Sequence, residues 1–264
     1  MVMIMYKEIE RSIIKKFRKE LYRPFTKAIT KYNLIEENDN IMVCISGGKD
    51  SFLLAKLIEE IHKHGDKKFT YKCVCMDPGY DDNIIKKIKA TAKILNINLT
   101  IFKSNIFDFI KTINNKPCYM CARMRRGYLY DEAVKLGCNK IALGHHLDDV
   151  IETNLLNLLY ASKLRTMLPK IKSDNFPCTL IRPMYMIREK SVISWAKYNG
   201  LTFINEACPL DIKKSSSRVK VKELIKTLES ENKDFIKSIF NAYENVDLND
   251  IISYTLNDET ISNY

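Results

Sequence analysis

No apolar run in these 264 residues approaches the ~20 that a helix needs to cross a bilayer, so no membrane-spanning helix is expected. The opening Met1-Val2-Met3-Ile4-Met5-Tyr6 is apolar but short, and it runs straight into Lys7-Glu8-Ile9-Glu10. It lacks the basic region followed by a longer apolar one that marks a secretory leader. A cytoplasmic protein with no membrane partner is expected. Repeats and low-complexity linkers are missing too, which leaves one large α/β domain with small additions. Disorder is not expected, because 46% hydrophobic residues can fill a sizeable core. Tryptophan occurs once, at Trp195, near Val192 and Ile193 on a helical stretch. Core packing is its expected role there, ahead of base stacking.

Basic residues are absent after Lys237, although the net charge is +11. The positive charge gathers in Lys7–Lys31 and Lys213–Lys226, and the chain ends in an acidic tail. A charged face of that kind suits a polyanion, whose counterions are released as its phosphates are neutralised. A lysine-rich solvated surface accounts for the bare charge equally well. Eight cysteines in a reducing compartment are not a disulfide framework. Cys44, Cys73 and Cys75 lie in apolar strand-like runs, where cysteine serves as a small hydrophobe. Cys138 and Cys178 are read the same way, whereas Cys118, Cys121 and Cys208 stand apart.

Periodicity orders the chain as alternating strands and helices. Apolar residues at helical spacing cover 7–31, with Pro24 limiting the regular helix. Buried strands are expected at 41–45, 71–76, 99–102, 140–144 and 179–181. Helices are expected at 51–62, 82–95, 123–136 (after a break at Pro117), 148–160, 189–198, 217–228 and 233–242. This alternation implies a doubly wound parallel sheet covered on both faces. Ligands of such sheets bind beyond the carboxyl ends of the strands. The unusual polar residues fall there: Ser46–Ser51 after the first strand, Asp77 after the second, His145–Asp149 after the fourth.

The segment Ser46-Gly47-Gly48-Lys49-Asp50-Ser51 has the parts of a phosphate loop. Two glycines let a phosphate approach main-chain N–H groups, and the following helix start adds free N–H groups and a positive dipole end. Ser46 and Ser51 can donate hydrogen bonds, Lys49 can neutralise charge, and Asp50 would suit Mg2+. The GxxxxGK[ST] pattern is absent, so the loop is of another kind. In sequence and position it resembles the signature of the N-type ATP pyrophosphatases, which split ATP into AMP and pyrophosphate and leave an adenylated substrate. The resemblance implies a Rossmann-like adenine-nucleotide fold, ATP as cosubstrate, and an adenosine near Asp77.

Pro117-Cys118-Tyr119-Met120-Cys121 is followed by Arg123, Arg125 and Arg126. Arginines and a helix start lower thiol pKa values and ready thiolates for metal. Cys208, in Glu206-Ala207-Cys208-Pro209, is the natural third ligand. Three thiolates with one open position suit a [4Fe–4S] cluster, but spacing alone also allows zinc with a fourth ligand, a redox dithiol or structural cysteines. Here a second resemblance enters. Cys118 through Gly127, followed by Gly144-His145-His146-Leu147-Asp148-Asp149, is similar to the tRNA 2-thiocytidine synthetases. The likeness runs from about Asn40 to Leu228 and includes Arg182-Pro183 and the segment Cys208 to Arg218. It implies a [4Fe–4S] cluster on Cys118, Cys121 and Cys208. One departure is Asp211, where that family often has a second late cysteine, and it leaves the target base open.

These readings together outline an ATP-dependent tRNA thiolase that adenylates a base oxygen and replaces it with sulfur. The resemblance implies that Ser46, Gly47, Gly48, Lys49, Asp50, Ser51, Asp77, Gly144 and His145 hold ATP. Lys49, Asp50 and Asp149 are the candidate catalytic residues, with Asp50 and Asp149 on magnesium. Lys15, Lys16, Lys19, Arg125, Arg126 and Arg218 are candidates for the tRNA backbone, although the run Ser215-Ser216-Ser217 before Arg218 serves equally well as an ordinary helix N-cap. The expected division is a basic helical extension (1–39), the catalytic domain (40–229) and a C-terminal helix with an acidic tail (230–264). A sulfur donor such as a cysteine desulfurase is implied, and a homodimer is left open. The rivals are a lysidine-type tRNA ligase, a thiolase for another base or small molecule, and a basic nucleic-acid-binding protein with structural zinc.

Overall fold

The structure, a computed structural model, describes residues 2–113, 117–204 and 217–264. They fall into two compact units, Met1–Asp149 with Leu168–Asp211, and Val150–Met167 with Ile212–Tyr264.

The first unit is organised by the run Ile41-Met42-Val43, which has no exposed surface. A strand apolar on both faces belongs in the middle of a covered sheet. Accordingly β1 (Asn40–Cys44) lies between β2 (Thr70–Asp77) and β4 (Lys140–Ala142), parallel to both, with Val43 opposite Cys73 and Ala142. β3 (Leu99–Lys103) extends the sheet beyond β2, and β6 (Thr179–Ile181) extends it beyond β4. β5 (Lys170–Lys172) closes the edge, giving the order β3-β2-β1-β4-β6-β5.

The sheet is parallel as expected through its first five strands, and only the added edge strand β5 runs antiparallel, to β6. The link from Lys172 to Thr179 is too short for the crossover a parallel pair requires. The Lys-Ile-Lys composition of β5 also suits an exposed edge, where charge discourages further pairing. The chain builds away from β1 to one side and then returns to place β4 on the other. The carboxyl ends of β1 and β4 therefore flank the switch point, where such sheets bind ligands.

Helices cover the sheet as the periodicity predicts: α3 (Lys49–His64), α4 (Asp82–Ile94), α6 (Pro117–Lys135) and α8 (Glu189–Tyr198). On one face, Tyr130 and Ala133 of α6 pack with Met42, Val74, Ile141, Cys138 and Cys178. Trp195 is wholly buried and stacks on Phe203, as expected. Two boundaries differ from the sequence reading. A short helix, α5 (Ile106–Lys111), lies in a stretch with no strong period, and α6 begins at Pro117, ahead of the expected start near Arg123. Proline's missing N–H costs nothing at the first helical position.

At the N-terminus, α1 (Val2–Ile14) and α2 (Arg23–Lys31) are joined by a π-helical turn over Arg18–Tyr22. The wider turn keeps Phe17, Leu21 and Phe25 buried, and Pro24 falls in the first turn of α2. Lys56 of α3 ties α1 to this unit. Its side chain is completely buried, and its ammonium donates to Glu10 at 2.6 Å, to Glu59 and to the Leu95 carbonyl at 3.0 Å. Breaking a buried pair strands its partner charges. Lys56→Met is therefore expected to cost about 3 kcal/mol of stability, read as a lower urea midpoint with an unchanged slope; an unaltered midpoint would contradict this role.

The second unit holds most of α7 (Leu147–Ala161), with α9 (Ser217–Glu231), α10 (Phe235–Ala242) and a hairpin, β7 (Ser253–Leu256) with β8 (Glu259–Ser262). The acidic end of the chain thus carries strands that the sequence reading left out. They reverse at Asn257-Asp258, both at positive φ, the backbone of a two-residue hairpin turn that these residue types tolerate.

Candidate active site

The loop after β1 is shaped by contacts within a few residues. Gly47 takes a left-handed φ of +90°, and a Cβ there would come within 3.0 Å of Ile88. The Ser46 N–H donates to the Ser51 hydroxyl at 3.1 Å, and that hydroxyl donates to the Gly48 carbonyl at 2.9 Å. Gly48 precedes α3 in an extended conformation with no side-chain cap. The first N–H groups of α3 thus open beside the two glycines, an anion-binding arrangement.

Gly144 explains how β4 joins this loop. A Cβ on it would stand 3.1 Å from the Asp50 carbonyl carbon and the Ser51 nitrogen, so a side chain would push the segment after β4 off the start of α3. The close approach brings His146 inward. It is buried, and its Nε2 lies 3.8 Å from Asp50 Oδ1 and 3.9 Å from Glu189 Oε1. His146 and Asp149 bind reciprocally: the His146 N–H donates to Asp149 Oδ2 at 3.0 Å, and the Asp149 N–H donates to His146 Nδ1 at 3.3 Å. His145 is only half-buried.

The charges converge on Lys49. Its ammonium is 2.8 Å from Glu189 Oε1 and 3.2 Å from Asp50 Oδ2. Burial alone would lower its pKa, but the hydrogen bond to Glu189 and the nearby Asp50 carry it above the ordinary lysine value. Burial raises the Asp50 pKa, against the opposing pull of Lys49 and His146. Asp50 Oδ1 is shut off from solvent with no hydrogen-bond partner. Asp148 fixes the geometry from behind. Its Oδ2 accepts the Glu189 N–H at 2.6 Å, and its Oδ1 accepts Arg188 Nε at 3.1 Å and lies 3.0 Å from Arg188 Nη2.

The remaining candidates spread outward. Asp77 is buried at the end of β2, where Oδ1 accepts the N–H groups of Gly79 and Tyr80 at 3.0 and 2.8 Å. Cys121, near the start of α6, is half-buried and packs beside Ile106, Phe107 and Ile110 with Tyr80 and Met76. The Cys118 side chain lies outside the described residues, as do Cys208 and Asp211. Burial pushes the thiols of Cys73 and Cys75 up to about 12, which keeps them protonated and inert. Arg125 is half-buried over the Phe107 ring, whereas Arg126 is exposed. Lys15, Lys16 and Lys19 are exposed, and the Lys16 ammonium sits 3.7 Å above the Tyr198 ring. In the second unit, Arg218 Nε lies 3.4 Å from the buried Glu152, with Lys222 at 3.3 Å.

The sequence offers His145 or His146 for orienting phosphate or substrate, and it assigns no site role to three residues of this region, Asp148, Glu189 and Arg182. Arg182 directly follows β6, is 8% exposed, and has an enclosed Nε without a partner. Burial lowers its pKa to about 10. Its position after a strand in the Arg182-Pro183 pair was the available signal.

The comparisons with known proteins agree with this architecture. A family model described as a PP-loop domain matches residues 13–228. A tRNA-cytidine(32) 2-sulfurtransferase of Geobacter metallireducens is 37% identical over 224 residues, covering 83% of this chain and 87% of that protein. One from Delftia acidovorans is 34% identical over 242 residues, covering 89% and 75%. Among solved structures, the U34-tRNA thiolase NcsA from Methanococcus maripaludis, with its [4Fe–4S] cluster, has a TM-score of 0.67 and 22% identity. That match covers 84% of this chain and 76% of that one and is a likeness of fold. With the glycine loop at the switch point and a matching family model across most of its length, this chain belongs to the PP-loop family, in the branch of the tRNA-cytidine(32) 2-sulfurtransferases.

Proposed function

We propose that the protein adenylates the 2-oxygen of a cytidine in a tRNA anticodon loop and replaces it with sulfur. Position 32 is the position that the relatives' names give. The observation that carries the reading is the convergence of Lys49, Asp50, His146 and Asp149 around the glycine loop. In this reading Ser46 to Ser51, Gly144 and His145 surround the phosphates, and Lys49 offsets the charge that develops as pyrophosphate departs. AMP then becomes the leaving group at the base carbon.

Asp50 and Asp149 would hold Mg2+; the enclosed, unpartnered Asp50 Oδ1 is the kind of hard oxygen that this cation takes. Cys118, Cys121 and Cys208 would hold a [4Fe–4S] cluster. The half-buried Cys121, bordered by apolar side chains, suits a thiolate ligand shielded from bulk water. When bound, the cluster would supply the site that carries sulfur to the activated base. The sulfur would come from a donor such as a cysteine desulfurase.

Residues 40–229 form the catalytic domain in this reading, and the helices of 1–39 present Lys15, Lys16 and Lys19 to the RNA backbone. A cytoplasmic location fits a tRNA substrate, and a homodimer is compatible with the reading. Among the described residues no helix is long and apolar enough to cross a membrane. Nucleoside mass spectrometry tests the assignment. Deleting the gene is expected to remove 2-thiocytidine from bulk tRNA, and restoring it to bring the nucleoside back. Loss of a different thionucleoside would mean that the base is wrong, and no change in any would end the tRNA assignment.

A further inference from the structure

We infer that Glu189 is the resting counter-ion of the loop lysine: it holds the Lys49 ammonium in the free enzyme, yields it to the triphosphate, and takes it back as pyrophosphate leaves. The inference rests on the reading of the glycine loop as an ATP site, and it gives a role to a residue outside that loop.

The geometry is specific. Lys49 and Glu189 are separated by 140 positions in the chain, yet Nζ and Oε1 meet at 2.8 Å, closer than Lys49 is to its neighbour Asp50. The pair is partly enclosed, with side chains 25% and 30% exposed, so solvent screens it less than a surface pair. Glu189 is also held in place. It is the first residue of α8, and its N–H is taken by Asp148 Oδ2, which in turn is anchored by Arg188. A carboxylate on a fixed helix start cannot follow the lysine far into the loop, whereas the four-carbon lysine stem can swing.

Lys49 therefore faces two competing acceptors, the Glu189 carboxylate and whatever phosphate occupies the loop. A lysine engaged only by phosphate would bind pyrophosphate tightly and release it slowly. A carboxylate that competes for the ammonium weakens the product and speeds its departure. When Lys49 leaves, His146 Nε2, 3.9 Å from Glu189 Oε1, is the group next to the vacated carboxylate. Glu189 is thus a positioning residue that acts through Lys49 and touches no reacting atom.

Calorimetric binding of inorganic pyrophosphate and of AMP to the full-length protein, with magnesium present, tests this. Glu189→Gln is expected to tighten pyrophosphate about ten-fold, the size of coupling that contacting charged residues show, and to leave AMP binding unchanged. Glu189→Asp, which keeps the charge but shortens its reach, should fall between. In a Lys49→Met background the Glu189→Gln gain should vanish. If it persists there, Glu189 acts by direct repulsion of phosphate and the inference is wrong. Weaker binding of both ligands to Glu189→Gln would assign a structural role instead and equally overturn it, as would unchanged pyrophosphate binding. If the unsubstituted protein binds neither ATP nor pyrophosphate, the reading of the site falls together with the inference. If it binds both and only the Glu189 effect is missing, the site reading survives alone.

Discussion

Lys49→Ala and Asp50→Asn are each expected to slow tRNA-dependent ATP cleavage by about a thousand-fold, the order found when a preorganised charge partner is removed from a transition state. Lys49 is the cation at the glycine loop, and Asp50 Oδ1 is closed to solvent and accepts no hydrogen bond. Neither side chain belongs to the core, since each is about a quarter exposed, so the melting temperature should move little. Chromatography of the nucleotides provides the measurement. The unsubstituted protein should convert ATP to AMP and pyrophosphate in the presence of tRNA, and both variants should leave ATP intact. ADP and orthophosphate as the only products would refute the pyrophosphatase reading at its root.

Replacing any one of Cys118, Cys121 or Cys208 with serine should abolish sulfur transfer and strip the protein of iron. Three thiolates are the minimum that hold a [4Fe–4S] cluster with one open position, so losing one leaves too few ligands. The adenylation half of the reaction should persist, because the glycine loop, Lys49 and Asp50 do not depend on these thiols. Cys73→Ala and Cys138→Ala are the controls. Both thiols are buried in the core, with pKa values raised by burial, and neither is expected to alter iron content. Iron and acid-labile sulfide should be measured on protein purified without oxygen. Stoichiometric zinc with no iron would remove the cluster from the scheme and return the triad to a structural role.

Much of the fold can be read along the chain because its signals are local. The unbroken apolar run Ile41 to Val43 specifies a strand covered on both sides, and Gly47-Gly48 specifies a turn that side chains would obstruct. Where local signals are weak, the reading misses elements. α5 is six residues long, too short for a clear helical period. β5 has a single apolar residue, and its direction follows from the short link to β6. The C-terminal hairpin is written in composition only through Asn257-Asp258, which the acidity around it obscures.

Sequence by itself determined the central strand, the glycine loop, the inert core cysteines and the family, since each depends on residue types within a few positions of one another. Only the tertiary structure decided which of two adjacent histidines turns inward, and that Glu189 meets Lys49 across 140 positions. Both outcomes depend on the sheet order. Placing β4 against β1 brings Gly144 onto the backbone of Asp50 and Ser51, and Asp148 then draws the start of α8 to the same point. An ion pair between distant residues has no local signature in a sequence, because its energy depends on a separation that only the folded chain sets.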